Sequence, residues 1–374
     1  MKVLFTGGGT AGHINPALAA AGYLLQKEPD AQILYVGNKG GMEERLVAQA
    51  GYDMKTVHIS GFQRKLTPKN LWRNAQTVVR VFTATVEAKR IIQEFGPDVC
   101  VGTGGYVCGP VLREAAKLGI PCVIHESNAY PGVTTKMLAK SVKAVMLAVP
   151  DAKQYFDSSV NCVVTGNPVR GEVLTAQREE SRKALGLDER PVVLSFGGSL
   201  GASALNRAAA YMLAQSAKTG EYQHIHGYGS HDEKFLDECR EFGLDVEKNP
   251  QIRLLEYIDN MPEMLAAADL VISRAGALTL AEIAAVGRAS VLIPSPNVAE
   301  NHQYHNAMQL QKLGAAVVVE EKELTGEKLI GIVDKLTKDP AELMLMGAKA
   351  RALAQPDSLD KICENLDRLM KTTA

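Results

Sequence analysis

Short apolar runs alternate with amphipathic stretches along almost the whole chain. Most of the runs are continuous in Val, Ile and Leu, as in strands of a parallel sheet that is covered on both faces. The stretches between them carry apolar residues at helical spacing. This alternation predicts an α/β protein built from doubly wound parallel sheets. The expected strands are residues 3–6, 33–37, 55–59, 98–102, 122–125, 144–147, 192–196, 223–226, 253–257, 270–273, 290–293 and 316–320.

The length and the breaks in the pattern predict two domains. A chain of 374 residues is too long for one ordinary core. Gly166, Asn167 and Pro168 interrupt regular structure near the middle. We therefore expect a first domain over 1–164 and a second over 165–355. The last helix, about 356–374, has an apolar face that must pack on a neighbour, and we expect it to return to the first domain.

Glycine-rich turns follow three of the expected strands, at residues 7–12, 102–105 and 197–201. Glycine lets the backbone approach a ligand closely, and a following helix offers free N–H groups at its start. Such turns bind phosphate groups. Tight turns without a ligand are the alternative, but three of them in one chain favour phosphate binding.

The first turn also fits the dinucleotide pattern G-x-G-x-x-G through Gly7, Gly9 and Gly12. A nicotinamide dinucleotide would need an acidic residue at the end of the second strand, to bind ribose hydroxyls. Asn38 and Lys39 follow that strand, whereas Asp30 precedes it. An NAD-type oxidoreductase is therefore the disfavoured interpretation.

Composition and charge narrow the function classes. The formal net charge of -1 creates no overall field that would attract nucleic acid. The six cysteines form no C-x-x-C pair and mostly lie in apolar runs, as buried free thiols do in a reducing compartment. No Cys and His cluster indicates a zinc site, so neither a metal nor another cofactor is expected. Without a signal-peptide pattern, we expect an intracellular protein.

Seven motifs occur in order along the chain: residues 8–13 (GGTAGH), 104–110 (GGYVCGP), 125–128 (HESN), 166–170 (GNPVR), 197–202 (GGSLGA), 274–282 (RAGALTLAE) and 303–307 (QYHNA). In this order and spacing the chain closely resembles, from end to end, the MurG family of bacterial peptidoglycan N-acetylglucosaminyltransferases. The resemblance implies a GT-B fold, in which two Rossmann-like domains face each other across a deep cleft.

The resemblance also implies the reaction. N-acetylglucosamine (GlcNAc) would pass, with inversion, from UDP-GlcNAc to the muramyl 4-hydroxyl of undecaprenyl-diphospho-muramoyl-pentapeptide (lipid I). The product, lipid II, serves cell wall synthesis. The implied partners are these two substrates and an anionic membrane surface. A UDP-GlcNAc 2-epimerase shares the architecture and the donor, and it remains the alternative function.

The motif matches imply the site residues. The second domain would contact the donor through Arg170, Ser199, Ile258, Ala277, Leu278, Thr279, Leu280, Ala281, Glu282 and Gln303. The first domain would reach the donor's sugar through Thr10, Ala11, Gly12 and Asn128. Candidates for the acceptor diphosphate are Gly9, Gly104, Gly105 and Tyr106. Ser199 is expected at a helix start, where N–H groups bind a diphosphate, and the Glu282 carboxylate would accept ribose hydroxyls.

Three positions depart from the family pattern. Ala11 stands where the family usually has Gly, and its methyl group narrows the expected approach to the first glycine turn. Ser127 stands where Gln is frequent. Asn301 stands where some members carry a charged residue.

Inverting transfer needs a base for the attacking hydroxyl. His13 is the first candidate, because an imidazole exchanges protons near neutral pH; its alternative roles are to orient the glycine turn or to bind acceptor phosphate. Glu126 is the second candidate, and its alternative is a structural carboxylate bound to backbone N–H groups. His125 is expected in the core. Arg, N–H groups and helix dipoles would stabilise the leaving diphosphate.

A membrane-bound acceptor requires a surface that meets the membrane. Residues 62–90 mix apolar and basic side chains, with no acidic residue before Glu87, and this composition suits an anionic bilayer surface. An amphipathic helix packed on the sheet is the alternative, favoured for much of 76–92. We expect a peripheral protein on the inner face of the cell membrane, with contacts at Lys65, Leu66, Lys69, Leu71, Trp72, Arg73 and Phe82.

Overall fold

The structure, a computed structural model, describes residues 1–61, 67–232 and 234–371; near the start of the third helix, the side chains of residues 68–71, 73, 75 and 76 are not described. The chain divides into two units. The first comprises Met1–Pro168 and the C-terminal segment from Asp357, and the second comprises Val169–Pro356. The division falls slightly later than the expected one, because Thr165 and Gly166 still donate hydrogen bonds to the Leu147 carbonyl of the first unit.

The first unit contains a parallel sheet of seven strands in the described residues: β1 (Lys2–Thr6), β2 (Gln32–Asn38), β3 (Asp53–Val57), β4 (Val99–Gly102), β5 (Cys122–Glu126), β6 (Ala144–Leu147) and β7 (Cys162–Val164). Their order across the sheet is β3-β2-β1-β4-β5-β6-β7. The apolar pattern predicts the first six. It misses β7, because this edge strand has only three residues, all half-buried.

Helices cover both faces of this sheet, and those that precede the division are α1 (Ala11–Lys27), α2 (Met42–Gln49), α3 (Pro68–Phe95), α4 (Cys108–Lys117) and α5 (Val133–Leu138). Leu4 and Ile124 pack on one face together with Ile92 of α3. Val3 and Phe5 pack on the other face together with Leu24 of α1. Burial on both sides explains why the strands are continuously apolar.

The second unit repeats the design with β8 (Val192–Phe196), β9 (Gln223–Gly227), β10 (Ile252–Leu255), β11 (Leu270–Ser273), β12 (Ala289–Leu292) and β13 (Ala316–Val318). Their order is β10-β9-β8-β11-β12-β13, all parallel. The helices are α6 (Gly171–Thr175), α7 (Arg178–Ala184), α8 (Ser203–Thr219), α9 (Phe235–Glu241), α10 (Met261–Ala267), α11 (Ala277–Val286), α12 (His302–Lys312), α13 (Gly326–Thr337) and α14 (Pro340–Arg351). Short 3-10 helices lie at Pro150–Tyr155, Ala299–Asn301 and Glu321–Glu323.

The last helix, α15 (Ser358–Lys371), belongs to the first unit. Ile362 and Leu366 are buried with residues of β1 and α1. Asp360 accepts hydrogen bonds from Tyr23 at 2.6 Å and Lys27 at 2.5 Å, both on α1. The apolar face seen in the sequence is therefore covered by the N-terminal unit.

Strand order places the glycine turns. In each unit the chain reverses its direction of winding beside the first strand, between β1 and β4 and between β8 and β11. In open parallel sheets, ligands bind beyond the carboxyl ends of the strands at this switch point. The turns after β1 and β4 therefore leave neighbouring strands of the first unit, and the turns after β8 and β11 leave neighbouring strands of the second.

Candidate functional site

The two glycine turns of the first unit contact each other through their backbones. The Gly8 N–H donates to the Gly104 carbonyl at 3.2 Å. A Cβ on Gly105 would lie 2.1 Å from the Gly8 carbonyl oxygen. Gly104 and Gly105 also have φ values of 108° and 80°, a region that favours glycine. Glycine is therefore required at these positions for the turns to meet.

His13 is fixed against this pair of turns. Its Nδ1 lies 3.0 Å from the Gly8 carbonyl oxygen and 3.3 Å from Thr10 Oγ1. Because a carbonyl only accepts, the contact assigns the ring proton to Nδ1 and leaves Nε2 with a free lone pair in the neutral ring. A Cβ on Gly104 would lie 3.0 Å from Nε2. The geometry therefore orients the basic nitrogen toward the second turn.

Glu43 is a site residue that sequence reasoning misses. It is fully buried on α2, and its Oε1 accepts the Gly9 N–H at 3.1 Å. The Gly9 N–H, expected to bind the acceptor diphosphate, thus has a protein partner in this structure. The Tyr106 ring lies against Gly9, 3.3 Å from the position of a Cβ there. No local signal connects Glu43 with Gly9, since 34 residues separate them.

Glu126, at the end of β5, is buried and fully engaged. Its Oε1 accepts the backbone N–H and the side-chain amide of Asn128, at 3.0 and 3.1 Å. Its Oε2 accepts the Gly132 N–H at 2.9 Å and the Thr135 hydroxyl at 2.7 Å. The carboxylate therefore organises the segment 128–135. This arrangement favours the structural alternative for Glu126 over the role of base.

His125 lies in the core, as expected from the sequence. Its Nε2 donates to the Gly166 carbonyl at 2.9 Å, and burial lowers its pKa. Ser127 is buried beside it, and the Ser127 carbonyl accepts the Asn167 side chain at 3.0 Å. These contacts connect the 125–128 motif to the 166–170 motif.

In the second unit, the turn after β8 packs on the turn after β9. A Cβ on Gly201 would lie 2.3 Å from the Tyr228 carbonyl oxygen, and φ of Gly201 is 85°. Ser199 is exposed within this turn, and α8 begins only at Ser203. The expectation that Ser199 starts the helix is therefore wrong. Left-handed glycines at 198 and 201 delay the helix by one turn.

Arg170 and Glu282 form the central ion pair of this unit's site. The Arg170 Nε lies 2.8 Å from Glu282 Oε1, with the side chains 47% and 15% exposed. Arg170 precedes α6, whereas Glu282 lies on α11, whose N-terminus follows β11. Residues 277–281 form the start of α11. The positive end of a helix dipole attracts an anion at this place.

Ile258 and Gln303, the other two donor residues predicted in the second unit, each have one group engaged within the protein. The Ile258 side chain is buried over Gly227, so Ile258 can offer a ligand only its backbone. Gln303, on α12, accepts the Ser295 N–H through Oε1 at 2.8 Å, which leaves its amide hydrogens for a ligand. Just before α12, Glu300 and Asn301 both have φ of 50°. Such left-handed non-glycine residues cluster at functional sites.

The predicted membrane residues fall on or near α3. Lys65 and Leu66 lie outside the described residues, and the side chains of Lys69, Leu71 and Arg73 are not described. Four apolar side chains of α3 are largely exposed and define an exposed stripe: Trp72 (67%), Val79 (62%), Phe82 (70%) and Val86 (70%). Their spacing of seven, three and four residues puts them on one face of the helix.

None of the helices in the described residues combines the length and the apolar character that crossing a bilayer requires. No group of three or more His, Cys, Asp or Glu residues is arranged there to hold a metal ion.

Two family models cover most of the chain. Residues 3–147 match the glycosyltransferase family 28 N-terminal domain, and residues 192–362 match the glycosyltransferase family 28 C-terminal domain. The first match runs from β1 to β6, and the second contains all six strands of the second sheet.

Two relatives are similar to the chain over nearly its whole length. A UDP-N-acetylglucosamine--N-acetylmuramyl-(pentapeptide) pyrophosphoryl-undecaprenol N-acetylglucosamine transferase of Thermoanaerobacter sp. is 44% identical over 97% of this chain and 98% of its own. The protein of the same name from Acetivibrio thermocellus is 41% identical over the full length of both.

Solved structures share the fold. The crystal structure of Acinetobacter baumannii MurG has 31% sequence identity and a TM-score of 0.79, covering 98% of this chain and 99% of its own. A UDP-GlcNAc 2-epimerase from Neisseria meningitidis bound to UDP-GlcNAc has only 12% identity and a TM-score of 0.67, covering 98% of this chain and 100% of its own. The second likeness shows a common GT-B fold alone.

Proposed function

This chain belongs to glycosyltransferase family 28, as a member of its MurG group, and we propose how its site residues transfer GlcNAc from UDP-GlcNAc to lipid I. The observation that carries the proposal is the convergence of Arg170 and Glu282 beside the N-terminus of α11. A cation, a carboxylate and a helix N-terminus in one place supply what a nucleoside diphosphate needs.

The second unit would hold the donor. The N–H groups of Leu278 and Thr279 in the first turn of α11 would bind the diphosphate together with the Arg170 guanidinium, and Glu282 would accept the ribose hydroxyls. Uracil would meet the backbone of Ile258, and the Gln303 amide would donate to the donor. Ser199 would contribute from the turn after β8. As the glycosidic bond breaks, negative charge grows on the departing UDP, and these donors stabilise it.

The first unit would activate the acceptor. His13 Nε2 would take the proton of the muramyl 4-hydroxyl while that oxygen attacks C1 of GlcNAc, so the sugar is transferred with inversion and UDP leaves. The contact of Nδ1 with the Gly8 carbonyl supports this role, because it holds the ring in the tautomer that can accept a proton. Asn128, oriented by Glu126, and residues 10–12 would contact the sugar.

Charge stabilisation would come from protein groups, so we propose that transfer needs no divalent metal or other cofactor. Arg170 and the α11 N-terminus provide the positive charge that a metal ion supplies in other transferases. Activity should survive dialysis against a chelator, and reactivation by added Mg²⁺ would contradict this part of the proposal.

The enzyme would work at a membrane surface because its acceptor carries a prenyl chain. The exposed stripe of α3 supports this proposal, together with the exposed Lys89 and Arg90 on the same helix. Apolar side chains insert into the interface and basic ones attract anionic lipid. We place the protein on the membrane face where lipid I is presented.

An assay of UDP release with and without a soluble lipid I analogue tests the reaction. Release only in the presence of the analogue, together with a disaccharide product, would support transfer. Conversion of free UDP-GlcNAc into its 2-epimer without acceptor would instead identify the epimerase alternative.

A further inference from the structure

A cavity of about 420 Å³ lies in the second unit, outside the proposed donor site. Its walls come from α6, the C-terminal ends of α10 and α11, and the C-terminal end of α14 with the chain that follows. Val173, Leu174 and Val286 supply apolar wall, whereas Arg178, Arg288 and Arg351 supply charge. We call this space the arginine cavity. Its size is that of a pocket for a small molecule.

Two of these arginines are held by the carboxyl end of α10. Arg178 Nη1 donates to the Ala268 carbonyl at 3.1 Å. Arg288 donates through Nη2 to the Ala266 carbonyl at 2.6 Å. The neighbouring Arg182 donates to Ala267 at 3.3 Å. The guanidinium groups are therefore fixed before any ligand arrives, which lowers the entropy cost of binding one.

Arg351 differs from Arg178 and Arg288 because it is exposed. Among the described residues, no carboxylate forms an ion pair with it. It lies over the C-terminal glycine of α11, since a Cβ on Gly287 would be 2.8 Å from Arg351 Nε. A substitution of Arg351 would therefore break no ion pair of the described residues.

Positive charge exceeds negative charge around the cavity. Asp269 pairs with Arg178 at 2.6 Å and with Arg182 at 3.3 Å. Within the part of the chain that the structure describes, it is the single carboxylate whose charge acts on Arg288. Each of the C-termini of α10, α11 and α14 adds at most about half a negative charge. Four guanidinium groups therefore retain an excess of about 1.5 positive charges. Burial, reinforced by Arg178 and Arg351, lowers the pKa of Arg288 to about 10.

We propose that the arginine cavity binds a small phosphate monoester. A phosphate dianion matches the excess charge, and its oxygens suit the paired N–H groups of guanidinium. The apolar wall at Leu174 and Val286 would cover the organic part of the ligand. Arg178 lies shortly after the residue where the chain enters the second unit, and Arg351 lies shortly before the residue where the chain leaves it. The ligand would therefore connect the first and the last segments of the second unit.

Titration of the full-length protein with inorganic phosphate, at constant ionic strength and with saturating UDP, tests the inference. We expect saturable binding that Arg351→Gln weakens about tenfold and Arg351→Glu abolishes, since a charge-assisted contact is lost or reversed. Lys312→Gln removes the same charge from an exposed position on α12 that does not line the cavity, and it should bind like the wild type.

Thermal unfolding provides the second readout. Phosphate should raise the Tm of the wild type more than that of Arg351→Gln, since ligand binding stabilises the folded state, while the two proteins unfold alike without phosphate. Equal phosphate affinity of the wild type and Arg351→Gln, or absence of saturable binding, would overturn the proposal. So would phosphate binding that appears only without UDP, because the anion would then occupy the donor site. None of these outcomes depends on transferase activity.

Discussion

Arg170 Nε lies 2.8 Å from Glu282 Oε1, so the proposed diphosphate ligand and the proposed ribose ligand neutralise each other before the donor binds. Arg170 is about half exposed, so separating the pair costs about 0–1 kcal/mol. Bound donor would replace each partner, with phosphate at Arg170 and hydroxyls at Glu282. The ion pair thus keeps both side chains oriented, and breaking it when the donor binds costs little free energy.

The Glu282→Gln variant should bind UDP more weakly. A hydrogen bond to a charged group contributes about 1.5–3 kcal/mol, and release of Arg170 offsets part of the loss, so affinity should fall about 5- to 50-fold. Calorimetric titration measures this change. Folding should be little affected, because the pair is near the surface.

The matched ligand is the 2′,3′-dideoxyribose analogue of UDP. Glu282→Gln should bind it at least as tightly as the wild type, because it lacks the hydroxyls that Glu282 would accept and the substitution releases Arg170. If the variant lost affinity for this analogue as well, Glu282 would not be the ribose ligand.

His13→Ala should lower turnover by about 10²- to 10⁴-fold, the usual contribution of a general base. UDP affinity should change by less, since the imidazole is expected to act on the acceptor. Steady-state kinetics with saturating donor and a lipid I analogue measures kcat, and calorimetry measures UDP binding.

Thr10→Ala is the control for His13. It removes the 3.3 Å contact with Nδ1 but leaves the Gly8 carbonyl as the partner of the ring, so turnover should fall far less. A folded His13→Ala protein with wild-type turnover would exclude His13 as the base.

Glu126→Gln distinguishes the two roles of that residue. A buried amide cannot accept all four donors that the carboxylate satisfies, so the first unit should lose about 2–4 kcal/mol of stability. Thermal or denaturant unfolding measures the loss. A variant with unchanged stability and abolished turnover would instead favour Glu126 as the base.

The exposed stripe of α3 predicts membrane binding. The double variant Trp72→Ala, Phe82→Ala should float less well with vesicles containing anionic phospholipid, because its two large apolar side chains no longer insert into the membrane interface. The control is Met344→Ala, Leu345→Ala, which removes exposed apolar side chains from α14. Equal flotation of all three proteins would exclude the stripe as the contact.

A buried histidine pair predicts the pH dependence of stability. Ser195 Oγ lies 2.7 Å from His224 Nε2 and 2.6 Å from His226 Nδ1. Burial lowers the pKa of His226 to about 3, and burial followed by the charge of His226 lowers that of His224. Unfolded histidines take up protons below about pH 6.5. The pair's contribution to stability is therefore complete above that pH and is lost as the pH falls toward about 3.

The slope should approach 1.4 kcal/mol per pH unit for each histidine. His226→Phe, which keeps the contact with the Phe235 ring, should remove about half of this slope from the pH dependence of unfolding. Ser195→Ala keeps both histidines and should keep the slope. Parallel curves for the wild type and His226→Phe would show that His226 does not titrate on unfolding.

The sequence predicts the boundaries of helices and strands where local rules decide them. Continuous apolar runs predict β1 and β8, and glycine turns predict the starts of α1 and α8 to within a few residues. The same rules fail at β7, where three half-buried residues carry no pattern, and at Ser199, where left-handed glycines postpone the helix. The family motifs likewise predict Arg170 and Glu282 as individual residues.

The sequence does not predict which residues these side chains contact, because the order of strands in the sheet brings together residues that are far apart in sequence. Arg170 and Glu282 are 112 residues apart, and Gly9 and Glu43 are 34 apart. The periodicity of apolar residues in a helix or a strand indicates only which residues of that element are buried, and steric rules apply only within a turn. The sequence alone therefore determined the alternating α/β class and its glycine turns. Only the packed sheets decided which turns meet, because strand adjacency depends on burial across the whole unit.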